Sequence, residues 1–180
     1  MFPFNSDDPD DLLATYLQDH LSAATLGLEL AERLTGSNRD DPRFGPVLAQ
    51  VRDEIRSERD LLKGLIDDLG VSQDPVKVTA AWVAEKAARL KLNGRTTGYS
   101  PLSRMIELEG LSTGIAGKCR MWRVFEQQLG RQIGDVDFRE LAELADSQRE
   151  RIDALHVLAG SWLAGTEAAD AARTTEPVGA

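Results

Sequence analysis

Four times in this chain a side chain able to cap a helix stands directly before a proline: Asp8-Pro9, Asp41-Pro42, Asp74-Pro75 and Ser100-Pro101. A capping oxygen satisfies amides that the first helical turn leaves without partners. Proline fits at the first helical position because its missing N–H would be unpaired there in any case. A fifth start lies at Asp137, with Glu140 three residues on in the spacing of a capping box. Gly36, Gly70, Gly94, Gly130 and Gly165 follow the periodic stretches, where a left-handed C-cap takes glycine. Between these signals the sequence predicts five helices, 9–35, 43–69, 75–93, 101–129 and 136–164, with no strand and no internal repeat. Residues 1–8 read as an N-terminal extension, and 166–180, small and polar, as a disordered tail.

Short loops join the first two helices and the last two, so each pair is expected to form an antiparallel hairpin. About 30 residues separate the hairpins, enough to return along a bundle. The expected class is all-α: a four-helix bundle with one long crossover containing the fifth helix. Composition agrees, since the 42% hydrophobic content is mostly Leu, Ala and Val and aromatics are 6%.

Charge and composition also exclude functions. A formal net charge of −9 opposes a general nucleic-acid role. The opening MFPFNSDDPDDLL carries acids where a signal or transit peptide needs bases. No apolar run approaches the roughly 20 residues that span a bilayer. The expected location is therefore the cytoplasm, away from membranes. The single cysteine, Cys119, excludes an internal disulfide framework and a cysteine-based zinc site. Walker, Rossmann and GxSxG patterns are absent from the sequence, and two histidines are too few for a three-histidine metal bundle.

Each expected core stripe carries a polar interruption. In 43–69 it is Glu58, among Val51, Ile55, Leu62, Leu65 and Leu69. In 9–35, Asp19 and His20 border Leu13, Leu17, Ala24, Leu28 and Ala31. In 101–129, Glu109 lies among Leu102, Ile106, Thr113, Ala116 and Arg120. In 136–164, Gln148 interrupts Phe138, Leu141, Ala145, Ile152, Leu155 and Trp162. The stretch ELEGLSTGIAGK holds Gly110, Gly114 and Gly117 inside a helix, where each glycine costs about 1 kcal/mol relative to alanine. Close packing on the first helix would explain that cost, with Ala23 opposite Gly114, Gly27 opposite Gly110 and His20 opposite Gly117; the alternative is an open pocket beside Glu109.

The helix order with polar residues in mid-seam resembles the ferritin-like superfamily across about residues 9–165. More narrowly, YLQDH, RLKLNG and SPLSRMIELEGL resemble a group of uncharacterised bacterial ferritin-like helical proteins, a resemblance that implies a fold but no established activity. Di-metal members of the superfamily place a Glu on each of two helices and Glu-x-x-His on the other two. Here EIRSERDLL has Ser57 three residues after Glu54 and Leu61 three after Glu58, and DSQRERID offers Gln148 or Arg151 where the motif has Glu or His. Ferritins themselves can use Gln on the last helix.

Counting from the loops places His20 near Glu58, Glu109 near His156, and Gln148 near Gly117. The expected result is two polar levels on the order of 12 Å apart. Asp19, His20, Glu58 and Gln148 form one, and Glu54, Glu109 and His156 the other. These seven residues are the candidate metal ligands. The alternative for each is internal pairing: His20 with Glu58, and Glu109 with His156 or an arginine. Arg95 and Arg104, in a basic stretch before and at the start of helix 101–129, are candidate anion ligands.

The resulting expectation is a non-catalytic binding or assembly protein, not an enzyme, with a degenerate metal site and no cofactor. Its partner is a second copy or another protein. The alternatives are a ferritin-like carboxylate metalloprotein, with iron or manganese in an oxidoreductase or storage role, and an anion-binding module.

Overall fold

The computed structural model describes residues 8–70, 99–129, 132–133 and 135–164. The fifth helix expected at 75–93, the extension before residue 8 and the tail 166–180 lie outside the described residues. The first helix, α1 (Pro9–Ser37), starts as its sequence dictates: Asp8 is extended and its carboxylate accepts from the Asp10 amide at 2.9 Å. It ends on Asn38, two residues beyond Gly36, because the Asn38 amide and side chain both donate to the Leu34 carbonyl.

α2 (Gly45–Asp68) begins later than Asp41-Pro42 implies. Asp41 accepts from the Arg43 amide at 3.0 Å in a local turn, and the chain enters the helix only at Gly45. Glycine is needed there, since a Cβ would lie 2.7 Å from the Arg39 carbonyl oxygen. Gly70, at φ +66°, supplies the left-handed residue just past the end of the helix.

α3 (Pro101–Gln128) is capped by Ser100, whose hydroxyl accepts from the Ser103 amide at 3.0 Å. A two-residue antiparallel ladder follows, β1 (Gln132–Ile133) on β2 (Val136–Asp137), where no strand was expected. It folds the loop back tightly enough for Asp137 to cap α4 (Phe138–Ala159), accepting from the Arg139 and Glu140 amides. A 3-10 segment, Gly160–Ala164, completes the described chain.

α1 packs on α2 and α3, and α4 packs on α3 and α2. α1 runs antiparallel to α3: Arg33, late in α1, meets Glu107, early in α3, and Tyr16 meets Phe125 at the opposite end. With α1 antiparallel to α2 as well, α2 and α3 are parallel. The connection between them must therefore traverse the bundle, about 36 Å for a helix of the length of α2. This is an all-α four-helix bundle with one long crossover. At one end Trp122 stacks on Phe138 at 6.0 Å, and Phe125 meets both rings edge-on.

Two expectations about α3 are corrected. First, its core stripe is Leu108, Leu111, Ile115, Trp122 and Phe125, while Glu109, Thr113 and Arg120 are exposed. Second, the glycines do not form a close contact. Gly110 faces Leu30 rather than Gly27, a shift of three residues, and a Cβ on Gly27, Gly114 or Gly117 would have no atom within 4 Å. The contacts that fix the register are instead the Arg33–Glu107 ion pair and the edge-on meeting of Tyr16 with Phe125.

Candidate functional site

In α2 the stripe Ile55–Glu58–Leu62 turns a carboxylate into the core, where it is 4% exposed. In α4 the stripe Ala145–Gln148–Ile152 does the same with an amide that is fully buried. Lys118, between Ile115 and Trp122 at helical spacing, comes from α3. Its ammonium donates to Glu58 Oε2 and, at 2.6 Å, to Gln148 Oε1. Gln148 Nε2 in turn donates to Glu58 Oε1 at 3.5 Å, closing a ring of three side chains from three helices.

Burial pushes the Glu58 carboxyl above its ordinary value, against the charge and hydrogen bond of Lys118. Burial likewise pushes the Lys118 ammonium below its ordinary value, against Glu58. In each group burial outweighs the attraction of its partner, which limits the shift without reversing it. One turn away, burial alone would raise Glu54, but Arg151 outweighs it and holds that carboxyl below its ordinary value. The guanidinium is bidentate, with Nη1–Oε1 at 3.1 Å and Nη2–Oε2 at 2.5 Å, the strong geometry for this pair.

A second buried carboxylate, Glu107, lies toward the other end of α3. Arg33 Nε donates to it at 2.9 Å and the Tyr99 hydroxyl at 3.1 Å, while Asn38 donates to that hydroxyl at 3.1 Å. Burial and the neighbouring carboxylate push the Tyr99 phenol well above its ordinary value. This cluster ties the residue that leads into α3 to the end of α1.

Of the residues singled out from the sequence, Glu58 and Gln148 come together, with Glu54 adjacent. Asp19 and Glu109 are exposed. His20 does not pair with Glu58; it is half-buried against the Tyr16 ring at 4.6 Å, and burial pushes its imidazole below the ordinary value, against Asp19. The α3–α4 register matches the loop count, with Ser112 donating to Asp153 at 2.5 Å, but Glu109 points away from His156. His156 Nε2 is buried without a hydrogen-bond partner among the described residues. Arg104 stacks on the Phe44 ring at 4.3 Å and lies 3.6 Å from Asp41, so its charge is already matched; Arg95 lies outside the described residues.

Cys119 is buried with Sγ 3.6 Å from the Ala142 carbonyl oxygen, and burial pushes its thiol up, the setting of an inert core thiol. Sequence reasoning missed Lys118, Glu107 and Arg33. Lys118 could have been found, since it continues the Leu108–Leu111–Ile115 spacing, but a lysine in a core stripe counts against that stripe.

The donor set does not fit a di-metal centre. Among the described residues no three His, Cys, Asp or Glu side chains converge to hold a metal ion. The most deeply buried carboxylate among the described residues, Glu58, is already met by an ammonium. Among the described residues no helix is long and apolar enough to cross a membrane. Comparison with known proteins finds no matching family model, no matching curated protein and no matching solved structure.

Proposed function

We propose that this chain is a ferritin-like bundle in which an internal cation, the Lys118 ammonium, takes the place of a metal, and that it works as a binding or assembly protein without metal chemistry. The observation that carries this reading is the contact of Lys118 with both Glu58 and Gln148. A carboxylate and an amide oxygen facing inward at mid-bundle are the donors a ferritin-like centre offers to its metals. Here the positive charge they need comes from the chain itself. A divalent ion entering the ring would have to displace the ammonium from Glu58, and at Glu54 it would have to displace Arg151. With a net charge of −9, the expected setting is the cytoplasm, with protein rather than nucleic acid as partner.

Elemental analysis of protein purified without chelator tests the proposal. The expected content of iron, manganese and zinc is far below one equivalent per chain, and adding any of them should leave the melting temperature unchanged. A metal bound only to the folded state would raise stability by RT ln(1 + [L]/Kd). Near-stoichiometric metal, or a metal-dependent melting shift that Glu58→Gln abolishes, would replace this reading with the carboxylate metalloprotein.

A further inference from the structure

Lys118, Glu58 and Gln148 touch pairwise, and their contacts are the ones an acyl transfer needs. Lys118 Nζ lies 2.6 Å from Gln148 Oε1. Allowing for the carbonyl bond, Cδ of Gln148 is no more than about 3.8 Å from that nitrogen, near the roughly 3–3.5 Å of a reactive approach. Glu58 meets the same two groups with its two oxygens. Its Oε2 accepts from Lys118 Nζ, and its Oε1 accepts from Gln148 Nε2 at 3.5 Å. One carboxylate thus bridges an attacking nitrogen and a departing one.

The surroundings favour the forms that react. Burial pushes Lys118 toward a free amine, the nucleophilic form, and Glu58 toward a carboxylic acid. Glu54, held by Arg151, also accepts from the Gln148 amide and helps to orient it. Glu58 and Gln148 are both buried, so water, the competing nucleophile, is kept from the carbonyl.

We propose that Lys118 and Gln148 join spontaneously in an isopeptide bond between α3 and α4, with Glu58 as the catalytic proton carrier. The ammonium first gives a proton to Glu58 Oε2. The free Nζ then attacks Cδ of Gln148, and the C–N bond forms as the carbonyl π pair moves onto Oε1. Glu58 protonates Nε2 through its Oε1 and takes a proton from Nζ through its Oε2. The carbonyl re-forms as the Cδ–Nε2 bond breaks, and one ammonia leaves. An amide and a neutral Glu58 acid remain, so atoms and charge balance with no oxidant or added reagent. Two buried charges disappear, and the cost of keeping charge buried drives the reaction. The inference rests on the Lys118 contact that carries the reading above, and the linked side chain still fills the place between Glu58 and Gln148.

Mass spectrometry of the full chain, purified folded and then denatured, tests it. The expected mass falls below the 19.7 kDa of the sequence by one ammonia. Tandem fragmentation should place that loss in a branched peptide joining Lys118 to Gln148. Lys118→Arg keeps the charge without a primary amine, and Glu58→Gln keeps the shape without the proton carrier. Each should retain its full sequence mass, with circular dichroism checking that it folds; if a variant fails to fold, the wild-type mass decides alone. A wild-type chain of unaltered mass after prolonged incubation would overturn the cross-link and, with metal also absent, leave the internal cation in place. A loss of ammonia mapped elsewhere would overturn it too, as would a loss of water linking Lys118 to Glu58 or a cross-link that persists in Glu58→Gln.

Discussion

Replacing Lys118 with methionine keeps the length of the side chain and removes its charge. Glu58 is then left 4% exposed, with only the long 3.5 Å hydrogen bond from Gln148. Breaking a buried ion pair by deleting one partner typically costs about 3–5 kcal/mol. The lower end, about 3 kcal/mol near pH 7, is expected here because Glu58 can escape by taking up a proton. That escape gives the cost a sign in pH. In the variant, burial still raises the Glu58 pKa in the folded state and no cation opposes it, so the folded chain holds a proton that the unfolded chain has released. Stability from a raised carboxylate is present below its unfolded pKa and lost as pH rises through the folded value. The variant should therefore weaken as pH rises from the ordinary carboxylate range up to the raised folded value, by up to about 1.4 kcal/mol per unit, relative to wild type. Urea denaturation at fixed protein concentration reads both effects as shifts of the midpoint. The double variant Lys118→Met, Glu58→Leu removes the stranded charge and should return to within about 1 kcal/mol of wild type. A Lys118→Met cost below about 0.5 kcal/mol at every pH would refute the reasoning, as would a double variant no more stable than the single one.

The glycines give opposite expectations according to their surroundings. Gly27→Ala and Gly114→Ala introduce a methyl into open space within helices and should each stabilise by about 0.5–1 kcal/mol in thermal unfolding. Gly45→Ala drives a Cβ against the Arg39 and Asn38 carbonyls and should cost about 1–3 kcal/mol in the same assay. Asn38→Ala removes donors to Leu34 and Tyr99 from a site that is 2% exposed, and should cost about 1–3 kcal/mol by denaturant titration.

What the sequence made legible was local. The caps at Asp8, Ser100 and Asp137 need only the next two or three residues to act, and each acts at its expected position. Glu58 and Gln148 were legible because α2 and α4 have a single apolar stripe with one polar member. The α2 start shifted because the close approach of Gly45 to the Arg39 carbonyl depends on how the whole loop folds. The facing of α3 was not legible, for a similar reason: choosing between two stripes is a matter of which helices lie beside it. Counted by hydrophobicity, the true core stripe was penalised for Glu107 and Lys118, while the outer stripe of glycine, alanine and threonine appeared neutral.

That ambiguity is resolved by the charges themselves. Glu58 of α2 finds its cation on α3, Glu54 of α2 finds Arg151 on α4, and Glu107 of α3 finds Arg33 on α1. Glu54 and Glu107 are met from neighbouring helices and Glu58 from the helix diagonally across the bundle, so the three pairs together specify how the helices are placed and at what height they meet. If α3 turned so that its other apolar stripe faced inward, Glu109 and Arg120 would be buried about three turns apart. Lys118 would leave the core at the same time, and Glu58 would lose its partner. Stranding one buried charge in this way costs several kcal/mol, a large share of the 5–15 kcal/mol that typically holds a domain together. Burial of apolar surface drives the four helices together; the ion pairs select the single rotation of α3 that apolar burial leaves undecided.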